Sequence, residues 1–294
     1  MSRFAYVNGC YVPHGEAAVH IEDRGYQFAD GVYEVIAVHQ GTLVDEEGHM
    51  ERLDRSLGEL DIAWPMSRRA LATVMGEVVR RNRIRDGIVY LQITRGVAPR
   101  NHAFPTDIEA AVVMTARHTR PFDVDNNSRG IDVVTIDDIR WKRCDIKTIS
   151  LLPNILGKEI AARAGAYEAW MVGADGRVTE GTSTNAWIVT SDGALLTRQT
   201  DNAILSGITR AAVIEAAAEA GIQLVERPFT VEEAKSAREA FLTSTTSFVK
   251  PVVKIDGQAI GNGHIGTLTA RLLDLYRAHM DGQRDAADAG KSAA

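Results

Sequence analysis

The chain has 294 residues, of which 45% are hydrophobic and 24% charged, and its formal net charge is −6. This composition is that of a soluble globular protein with one large domain or two moderate ones. The negative charge argues against a nucleic-acid partner, which needs a clustered basic face, and no apolar run approaches the roughly 20 residues that cross a membrane.

The first part of the chain alternates patterns typical of strands and helices. The predicted strands are 5–12, folded as a hairpin around Asn8-Gly9, and then 32–39, 87–94 and 109–116. Apolar residues at helical spacing predict helices at 49–60 and 67–81, the second with Ser67 as its N-cap. These elements predict a small α+β domain with an antiparallel sheet over residues 1–120.

A polar, proline-containing stretch at 121–129 lacks periodicity and predicts an interdomain linker. Beyond it, residues 130–280 mix strands with helices and predict a larger second domain. The predicted strands are 130–136, 168–172, 186–190 and 239–243, and the predicted helices are 154–164, 208–220 and 266–280. The small and polar residues 281–294 predict a disordered tail.

Lys147 is distinctive because lysine is scarce and this one lies in an apolar setting, after Ile146 and before Thr-Ile-Ser-Leu-Leu-Pro. A lysine that forms a Schiff base with an aldehyde must be partly desolvated to be nucleophilic near neutral pH. Lys158 and Lys235 lie in helical patterns, where we expect them to be solvated. The pattern leaves open whether Lys147 is catalytic or a structural lysine with a satisfied charge.

Glu180 lies beside a flexible, hydroxyl-rich turn in the segment Thr-Glu-Gly-Thr-Ser-Thr-Asn at 179–185. At the ring nitrogen of pyridoxal phosphate, a carboxylate keeps that nitrogen protonated and makes the ring an electron sink. The same residues also suit a turn in which the side chains bond only their own backbone. Both interpretations remain open at this point.

The segment Ser206-Gly-Ile-Thr-Arg210 begins a predicted helix. The free backbone N–H groups of Gly207, Ile208 and Thr209 would bind a phosphate at the positive end of the helix dipole. The alternative is a simple serine N-cap. Arg52, in an earlier predicted helix, is a candidate second phosphate ligand or a surface arginine.

A turn-rich segment, Arg95-Gly-Val-Ala-Pro-Arg-Asn-His102, follows a predicted strand. In an extended chain, Arg100 and His102 project to the same side, because side chains alternate with period two. A guanidinium with an imidazole suits the capture of a substrate carboxylate. A solvated surface loop is the alternative.

Other cofactor classes are disfavoured. The stretch 261–266 matches G-x-G-x-x-G, but Asp256-Gly257 predicts a hairpin turn before it and no second parallel strand follows. The eight histidines show no metal-ligand spacing, and neither do Cys10 and Cys144, so we expect no metal and no disulfide. The first residues lack the apolar core of a signal peptide, which predicts a cytoplasmic protein.

Several motifs, in this order, resemble the D-amino-acid aminotransferases, a class IV family of fold-type IV pyridoxal-phosphate enzymes. The motifs are EDRGYQFADGVYEV at 22–35, TRGVAPRNH at 94–102, DIRWKRCDIK at 138–147, TEGTSTN at 179–185 and TSTTS at 243–247. The resemblance covers about residues 5–280. It implies a two-domain fold of α+β and α/β type, in which the larger domain, 130–280, binds pyridoxal 5'-phosphate and has a mixed, β-barrel-like core.

The resemblance also implies a role for each matching residue. Lys147 matches the Schiff-base and proton-transfer lysine, and Glu180 matches the carboxylate that pairs with the pyridine nitrogen. The other implied cofactor-binding residues are Arg52, Ser183, Thr184, Leu205, Gly207, Ile208, Thr209, Ser244 and Thr245. The implied trap for the substrate carboxylate is Tyr33, Arg100 and His102, the last two from the neighbouring subunit of a homodimer. Departures are mild: Thr182 and Thr184 stand where serines are common, and Ser206 where a lysine can occur.

The activity that the resemblance implies is a ping-pong transfer of an amino group between a D-amino acid, such as D-alanine or D-glutamate, and a 2-oxo acid. Branched-chain aminotransferases, R-selective amine transaminases and aminodeoxychorismate lyases share the fold and remain alternatives. A non-catalytic oligomeric scaffold would require Lys147 to be idle.

Overall fold

The computed structural model describes residues 2–123 and 128–292, and the chain divides into two compact units. Unit 1 comprises Met1–Phe122, Ile146–Ser150 and Asp281–Ala294, and unit 2 comprises Asp123–Asp145 and Leu151–Met280. The boundaries at 120 and 130 stay a prediction, and residues 124–127 of the predicted linker lie outside the described residues.

One segment of the predicted larger domain, Ile146–Ser150, groups with unit 1 instead. The reason is backbone pairing with the strand that begins at Gly31. The N–H of Tyr33 donates to the carbonyl of Lys147 at 3.0 Å, and the N–H of Ile149 donates to the carbonyl of Gly31 at 3.1 Å. The predicted site lysine is therefore held by unit 1.

A six-stranded antiparallel sheet forms the centre of unit 1. Its strands, in spatial order, are β2 (Cys10–Pro13), β1 (Phe4–Val7), β6 (Ala111–His118), β5 (Gly87–Thr94), β3 (Gly31–His39) and β4 (Thr42–Leu43). The hairpin predicted around Asn8-Gly9 is confirmed, since Val7 pairs with Cys10 and both turn residues have positive φ. The strands predicted at 32–39 and 87–94 are confirmed as β3 and β5.

Three helices accompany this sheet: α1 (Arg24–Phe28), α2 (Glu46–Glu59) and α3 (Arg68–Asn82). The last two confirm the predicted helices, and Ser67 caps α3 by accepting a hydrogen bond from the N–H of Ala70 at 3.2 Å. Leu53 of α2 and Leu71 of α3 are fully buried in one core with Ile36 of the sheet. Because helix residues three or four positions apart share a face, the buried side of α2 also presents polar groups towards β3.

Unit 2 is built on a mixed nine-stranded sheet. Its strands are β7 (Ile131–Asp137), β8 (Glu168–Val172), β9 (Val178–Gly181), β10 (Asn185–Val189), β11 (Leu195–Thr197), β12 (Leu224–Glu226), β13 (Glu239–Ser244), β14 (Phe248–Ile255) and β15 (Gln258–Ala259). The order is β12-β11-β10-β13-β14-β7-β8-β9, with β15 on β14. The pairs β14–β7, β7–β8 and β11–β12 are parallel and the others antiparallel. The four strands predicted for this part are confirmed.

The sheet of unit 2 must curl strongly. Five strand spacings separate β10 from β9 in the sheet order, which is about 24 Å in a flat sheet. Only residues 182–184 join the two strands along the chain, and four Cα–Cα steps span at most about 15 Å. The N–H of Gly181 also bonds the carbonyl of Thr184 at 2.7 Å. The result is a half-barrel, as the predicted barrel-like core requires.

The helices of unit 2 are α4 (Leu152–Arg163), α5 (Ile208–Glu219), α6 (Val231–Lys235) and α7 (Thr267–Ser292), and the residues of α7 from Asp281 onward belong to unit 1. The prediction that 281–294 form a disordered tail is wrong for 281–292. Alanine and long polar side chains have high helix propensity there, and the segment is anchored, since Asp281 lies 3.0 Å from His39 Nε2. Residues 293–294 lie outside the described residues. None of the described helices combines the length and apolar character needed to cross a membrane.

The G-x-G-x-x-G stretch serves a structural purpose. The hairpin turn predicted at Asp256-Gly257 is confirmed between β14 and β15. The Glu239 carboxylate accepts hydrogen bonds from the N–H groups of Leu268 at 3.1 Å and Thr269 at 2.8 Å, at the start of α7. The carboxylate therefore occupies the backbone N–H groups at which a nucleotide phosphate would bind.

Candidate active site

A fully buried carboxylate, Glu34 of β3, lies at the centre of a charged cluster in unit 1. Arg52 donates to it from Nε at 2.8 Å and from Nη2 at 2.7 Å, and Nδ1 of His49 lies 2.7 Å from its Oε2. Burial raises the pKa of Glu34, but Arg52 and His49 outweigh burial and lower that pKa to about 2. Glu34 is therefore ionised at neutral pH. Arg52 is only 8% exposed, so the alternative of a surface arginine is wrong.

Lys147 is half-buried and lies against Tyr33, its Nζ 4.3 Å from the centroid of the tyrosine ring. Its backbone N–H donates to Oγ of Ser56 at 3.2 Å. Burial lowers the pKa of His49, the positive charges of Arg52 and Lys147 lower it further, and Glu34 only partly opposes them. Lys147 thus borders a cluster in which the imidazole is held neutral.

The charge of Lys147 is not matched by an ion pair among the described residues. Lys158, Lys235 and Lys254, in contrast, each lie within ion-pair distance of a carboxylate. A structural lysine with a satisfied charge would need such a partner. The geometry favours the catalytic interpretation of Lys147, whose role as the Schiff-base lysine stays a prediction.

Arg100 and His102 are exposed and lie together against the ring of Phe28. The guanidinium carbon of Arg100 is 4.5 Å from the ring centroid, and the two rings of Phe28 and His102 are 5.3 Å apart. Their segment is bent rather than extended, so strand alternation is not the reason that they share a side. Among the described residues, no hydrogen bond, ion pair or ring contact joins either of them to Tyr33.

Glu180 is buried on β9, with 5% of its surface exposed. It accepts hydrogen bonds from Nη1 of Arg140 at 2.5 Å, from Nδ2 of Asn185 at 3.0 Å and from the N–H of Leu205 at 3.2 Å. The alternative of a turn that bonds only its own backbone is wrong for Glu180, because Arg140 and Leu205 lie on other segments and Asn185 bonds it through its side chain. The carboxylate is fixed between a guanidinium and two amide groups.

Asn185 links Glu180 to the N-terminus of α5. Its Nδ2 donates to the Leu205 carbonyl at 3.0 Å as well as to Glu180. Gly207, the N-cap of α5, lies so close that a Cβ there would overlap Oδ1 of Asn185. The N-cap position of α5 is held by Gly207 and not by Ser206, so the alternative of a serine at the N-cap is wrong. The first-turn N–H groups, beside the buried Thr209, form a cradle that fits a phosphate.

The hydroxyl residues of the predicted site gather at the same end of the sheet. Asn185 pairs with Thr243 in the β10–β13 ladder, which places Thr184 opposite Ser244. Thr245 follows Ser244 at the start of the next turn. Oγ1 of Thr184 is buried and has no hydrogen-bond partner among the described residues. A buried hydroxyl of this kind is normally satisfied by water or a ligand, so this end of unit 2 fits a polar ligand.

Ser183 lies in a different environment. Its side chain is exposed, and its hydroxyl donates to Oε2 of the fully buried Glu168 at 3.3 Å. The hydroxyl of Thr182 donates to Oε1 of the same carboxylate at 2.5 Å. Both side chains support the turn between β9 and β10, and the direct cofactor role of Ser183 stays a prediction.

Sequence reasoning missed Glu34 and His49 in the cluster of unit 1, and Arg140 and Asn185 in the cluster of unit 2. A glutamate within the apolar run of β3 was a signal of a buried charge that needs a partner. The spacing of His49 and Arg52, three residues apart on one helix, was a signal of a shared face. Arg140 and Asn185 gave no such signal, because their hydrogen bonds to Glu180 depend on how the loop after β7 and the turn after β9 fold.

The fold matches solved aminotransferases of fold type IV. A branched-chain amino acid aminotransferase of T.th., solved with pyridoxamine 5'-phosphate, superposes with a TM-score of 0.89 at 26% identity, covering 96% of this chain and 95% of the other. The Escherichia coli branched-chain amino acid aminotransferase gives a TM-score of 0.88 at 24% identity, covering 96% of each chain, a likeness of fold alone. The class of protein is therefore a fold-type IV aminotransferase.

Sequence comparison defines the family. The profile of the amino-transferase class IV family matches residues 31–255. The D-alanine aminotransferase of Staphylococcus haemolyticus is 41% identical over 278 residues, which cover 94% of this chain and 97% of the relative. That of Bacillus licheniformis is 42% identical over 264 residues, covering 89% and 92%. The chain belongs to the class IV aminotransferase family.

Proposed function

We propose that the protein transfers an amino group between a D-amino acid and a 2-oxo acid, with pyridoxal 5'-phosphate as its cofactor. The observation that carries the proposal is the connected set in unit 2, in which Asn185 joins the Glu180 carboxylate to the segment that leads into the N-terminus of α5. This set matches a ligand with a basic ring nitrogen at one end and a phosphate at the other. The D-alanine aminotransferases of Staphylococcus haemolyticus and Bacillus licheniformis support the choice of D-amino acids.

Bound pyridoxal phosphate would supply an aldehyde that condenses with amines and a ring that accepts electrons from Cα. The N–H groups of Ile208 and Thr209 would hold its phosphate, with Thr245 beside them and Arg52 as a further cation. Glu180, fixed by Arg140, would keep the ring nitrogen protonated. Lys147 would anchor the aldehyde, and its amine would be the group that accepts the Cα proton of the substrate and gives it back. Tyr33 packs against Lys147 and would orient it.

We also propose a cytoplasmic homodimer in which Arg100 and His102 bind the α-carboxylate of substrate in the neighbouring subunit. Both side chains are exposed in the protomer, so they are available to a second chain. The supporting feature is an apolar stripe on α4, whose members are Leu152 at 66% exposure, Ile155 at 61%, Leu156 at 49% and Ile160 at 51%. An apolar face of this kind is normally covered by a partner. Cys10 and Cys144 are both free thiols, as a reducing compartment favours.

An activity panel with the holoenzyme tests the proposed function. The amino donors are D-alanine, D-glutamate, L-leucine and R-1-phenylethylamine, each with 2-oxoglutarate or pyruvate as acceptor. We expect D-alanine and D-glutamate to react at least 100-fold faster than the other donors. Faster reaction of L-leucine would assign the protein to the branched-chain enzymes, and faster reaction of the amine would assign it to the R-selective amine transaminases.

A further inference from the structure

We propose that Arg24 is a positioning residue for the substrate-carboxylate loop, defined here as residues 96–104. It would act by holding the backbone of this loop, so that Arg100 and His102 keep the geometry that a carboxylate requires. The inference rests on the proposed function and deepens it, and every contact that carries it lies in unit 1.

Arg24 contacts the substrate-carboxylate loop at two places. Its backbone N–H donates to the carbonyl of Gly96 at 2.9 Å, where the loop begins. Its side chain is only 4% exposed, and it donates from Nη1 to the carbonyl of Asn101 at 2.6 Å and from Nη2 to that of His102 at 3.5 Å. These carbonyls belong to the two successive peptide groups on either side of the His102 Cα. The guanidinium therefore holds the backbone on both sides of His102.

The guanidinium of Arg24 is itself held in place. Its Nε donates to Oδ2 of Asp30 at 2.7 Å, and Asp30 also accepts two hydrogen bonds from Arg95, at 2.8 and 3.0 Å. Burial raises the pKa of Asp30, but the two arginines outweigh burial and hold it below its ordinary value. Arg95 is in turn fixed by the carbonyls of Leu60 and Asp61 at 2.7 and 2.9 Å. Asp30 is thus a shared ionised anchor for two buried cations.

The same short helix also receives the side chains of the loop. Arg24 is the first residue of α1 and Phe28 the last, and the guanidinium carbon of Arg24 lies 4.9 Å from the Phe28 ring centroid. Arg100 and His102 contact the same Phe28 ring. At the end of the loop, the Phe104 ring centroid is 3.5 Å from the Arg95 guanidinium carbon. The backbone of the loop is therefore held by Arg24, and its side chains contact Phe28 and Arg95.

Arginine is required at position 24 because the contacts diverge. A planar guanidinium carries five N–H donors in a fixed fork and can bond Asp30 and two carbonyls at once. A lysine ammonium at the same place keeps the charge beside Asp30 but is a single point on a flexible chain. Arg24→Lys is therefore expected to preserve the buried ion pair and to release the loop.

Steady-state kinetics of the holoenzyme with D-alanine and 2-oxoglutarate test this role. For Arg24→Lys, we expect the KM for D-alanine to rise by about 10-fold or more, as the loss of hydrogen bonds to a charged group implies, with kcat within about 2-fold. The melting temperature and the cofactor absorbance should stay at their wild-type values. The matched control is Arg85→Lys, an exposed arginine, whose KM should be unchanged. Should Arg24→Lys yield no folded protein, Arg24→Gln takes its place with the same expectation.

A double-mutant cycle separates positioning from a general structural effect. In an Arg100→Ala, His102→Ala background the two carboxylate-binding side chains of the loop are gone, so Arg24→Lys should change KM by less than about 2-fold. An equal rise of KM in both backgrounds, or a fall of kcat with KM unchanged, would overturn the positioning role. Failure of the proposed function is distinguishable, because the wild-type enzyme would then not transaminate D-alanine at all.

Discussion

Arg140 donates a 2.5 Å hydrogen bond from Nη1 to the carboxylate of Glu180, and both side chains are buried. The opposite edge of the guanidinium bonds Asp138, at 2.8 Å from Nη2. Burial lowers the pKa of Arg140, but the two carboxylates outweigh it and raise that pKa above its ordinary value. The Arg140 guanidinium therefore stays charged throughout the neutral range and holds the Glu180 carboxylate in place.

Glu180→Gln should lower kcat/KM for D-alanine by about 10²-fold, the cost typical of removing one preorganised electrostatic contact. Arg140 keeps its ion pair with Asp138, so the variant should fold. Its melting temperature should fall, because a buried ion pair is lost and the amide group presents a donor to the donors of Asn185 and Leu205. The measurement is the rate of pyruvate formation from D-alanine and 2-oxoglutarate. Glu219→Gln, on the exposed side of α5, is the matched control. A near-wild-type rate in Glu180→Gln would mean that this carboxylate does not serve the cofactor ring.

Lys147→Ala should abolish transamination, by about 10³-fold or more, because no other amine would bind the aldehyde and move the Cα proton. Folding should be retained, since the hydrogen bonds of Lys147 to Tyr33 and Ser56 run through its backbone. Borohydride reduction followed by peptide mapping gives a second measurement, with the label on Lys147 in the wild type. Lys142→Ala, an exposed lysine, should keep full activity. A label on another lysine would refute the assignment.

Gly207→Ala should weaken cofactor binding by at least about 10-fold. The backbone φ of −69° at Gly207 suits any residue, so conformational strain is not the reason. The added Cβ would overlap Oδ1 of Asn185 and displace the amide that bonds both Glu180 and Leu205. The measurement is the dissociation constant for pyridoxal phosphate from a titration of the apoprotein. Gly58→Ala in α2 has open space around it and should be neutral, or stabilising by up to about 1 kcal/mol.

Local sequence patterns predicted most helices and strands. They could not predict the contacts between segments that are distant along the chain. The strands at 32–39 and 87–94 follow from alternation, and the Asn8-Gly9 hairpin follows from turn chemistry. Lys147 groups with unit 1, although the residues on either side of its segment belong to unit 2, because that segment pairs with β3, more than a hundred residues earlier in the chain. Register between such distant segments leaves no trace in local composition.

The site was predicted unevenly for the same reason. Motif order predicted roles for Glu180 and the start of α5, which stay predictions, and assigned none to Asn185, the residue that joins them. Conversely, the tail was predicted as disordered from its composition, although its alanines and charged residues extend α7 and Asp281 contacts His39. The contact between Asp281 and His39 anchors this part of the helix, and that contact could not be predicted from the sequence.

Acid should destabilise the protein through Glu34. Its folded pKa of about 2 lies below the ordinary value of 4.5, so its contribution is fully present above about pH 4.5 and is lost as the pH falls towards 2. The shift corresponds to about 3 kcal/mol. The pKa of His49 is also lowered, so its contribution to stability is likewise lost as the pH falls below the ordinary value of 6.5. The measurement is the free energy of urea unfolding at pH 7, 5 and 4.

Glu34→Gln provides the comparison for this pH dependence. Removing the carboxylate leaves Arg52 as a buried cation without its ion-pair partner, which should cost about 3–5 kcal/mol at pH 7. The variant should then lose less stability than the wild type between pH 5 and pH 4. Parallel unfolding curves for the two proteins over this range would show that Glu34 is not the group that titrates. Glu219→Gln should reproduce the wild-type curve.

Ile155→Asp should convert the proposed homodimer into protomers of 32.0 kDa, as measured by sedimentation velocity. Ile155 is 61% exposed within the apolar stripe of α4. In a two-fold interface each change occurs twice, and two carboxylates buried against apolar surface cost several kcal/mol. Activity with D-alanine should fall together with dimer content, because Arg100 and His102 would no longer reach a neighbouring site. Ala218→Asp, an exposed change of the same charge on α5, should leave both unchanged. A wild-type protein that sediments as an active protomer would refute the shared site, and dimeric Ile155→Asp would place the interface elsewhere.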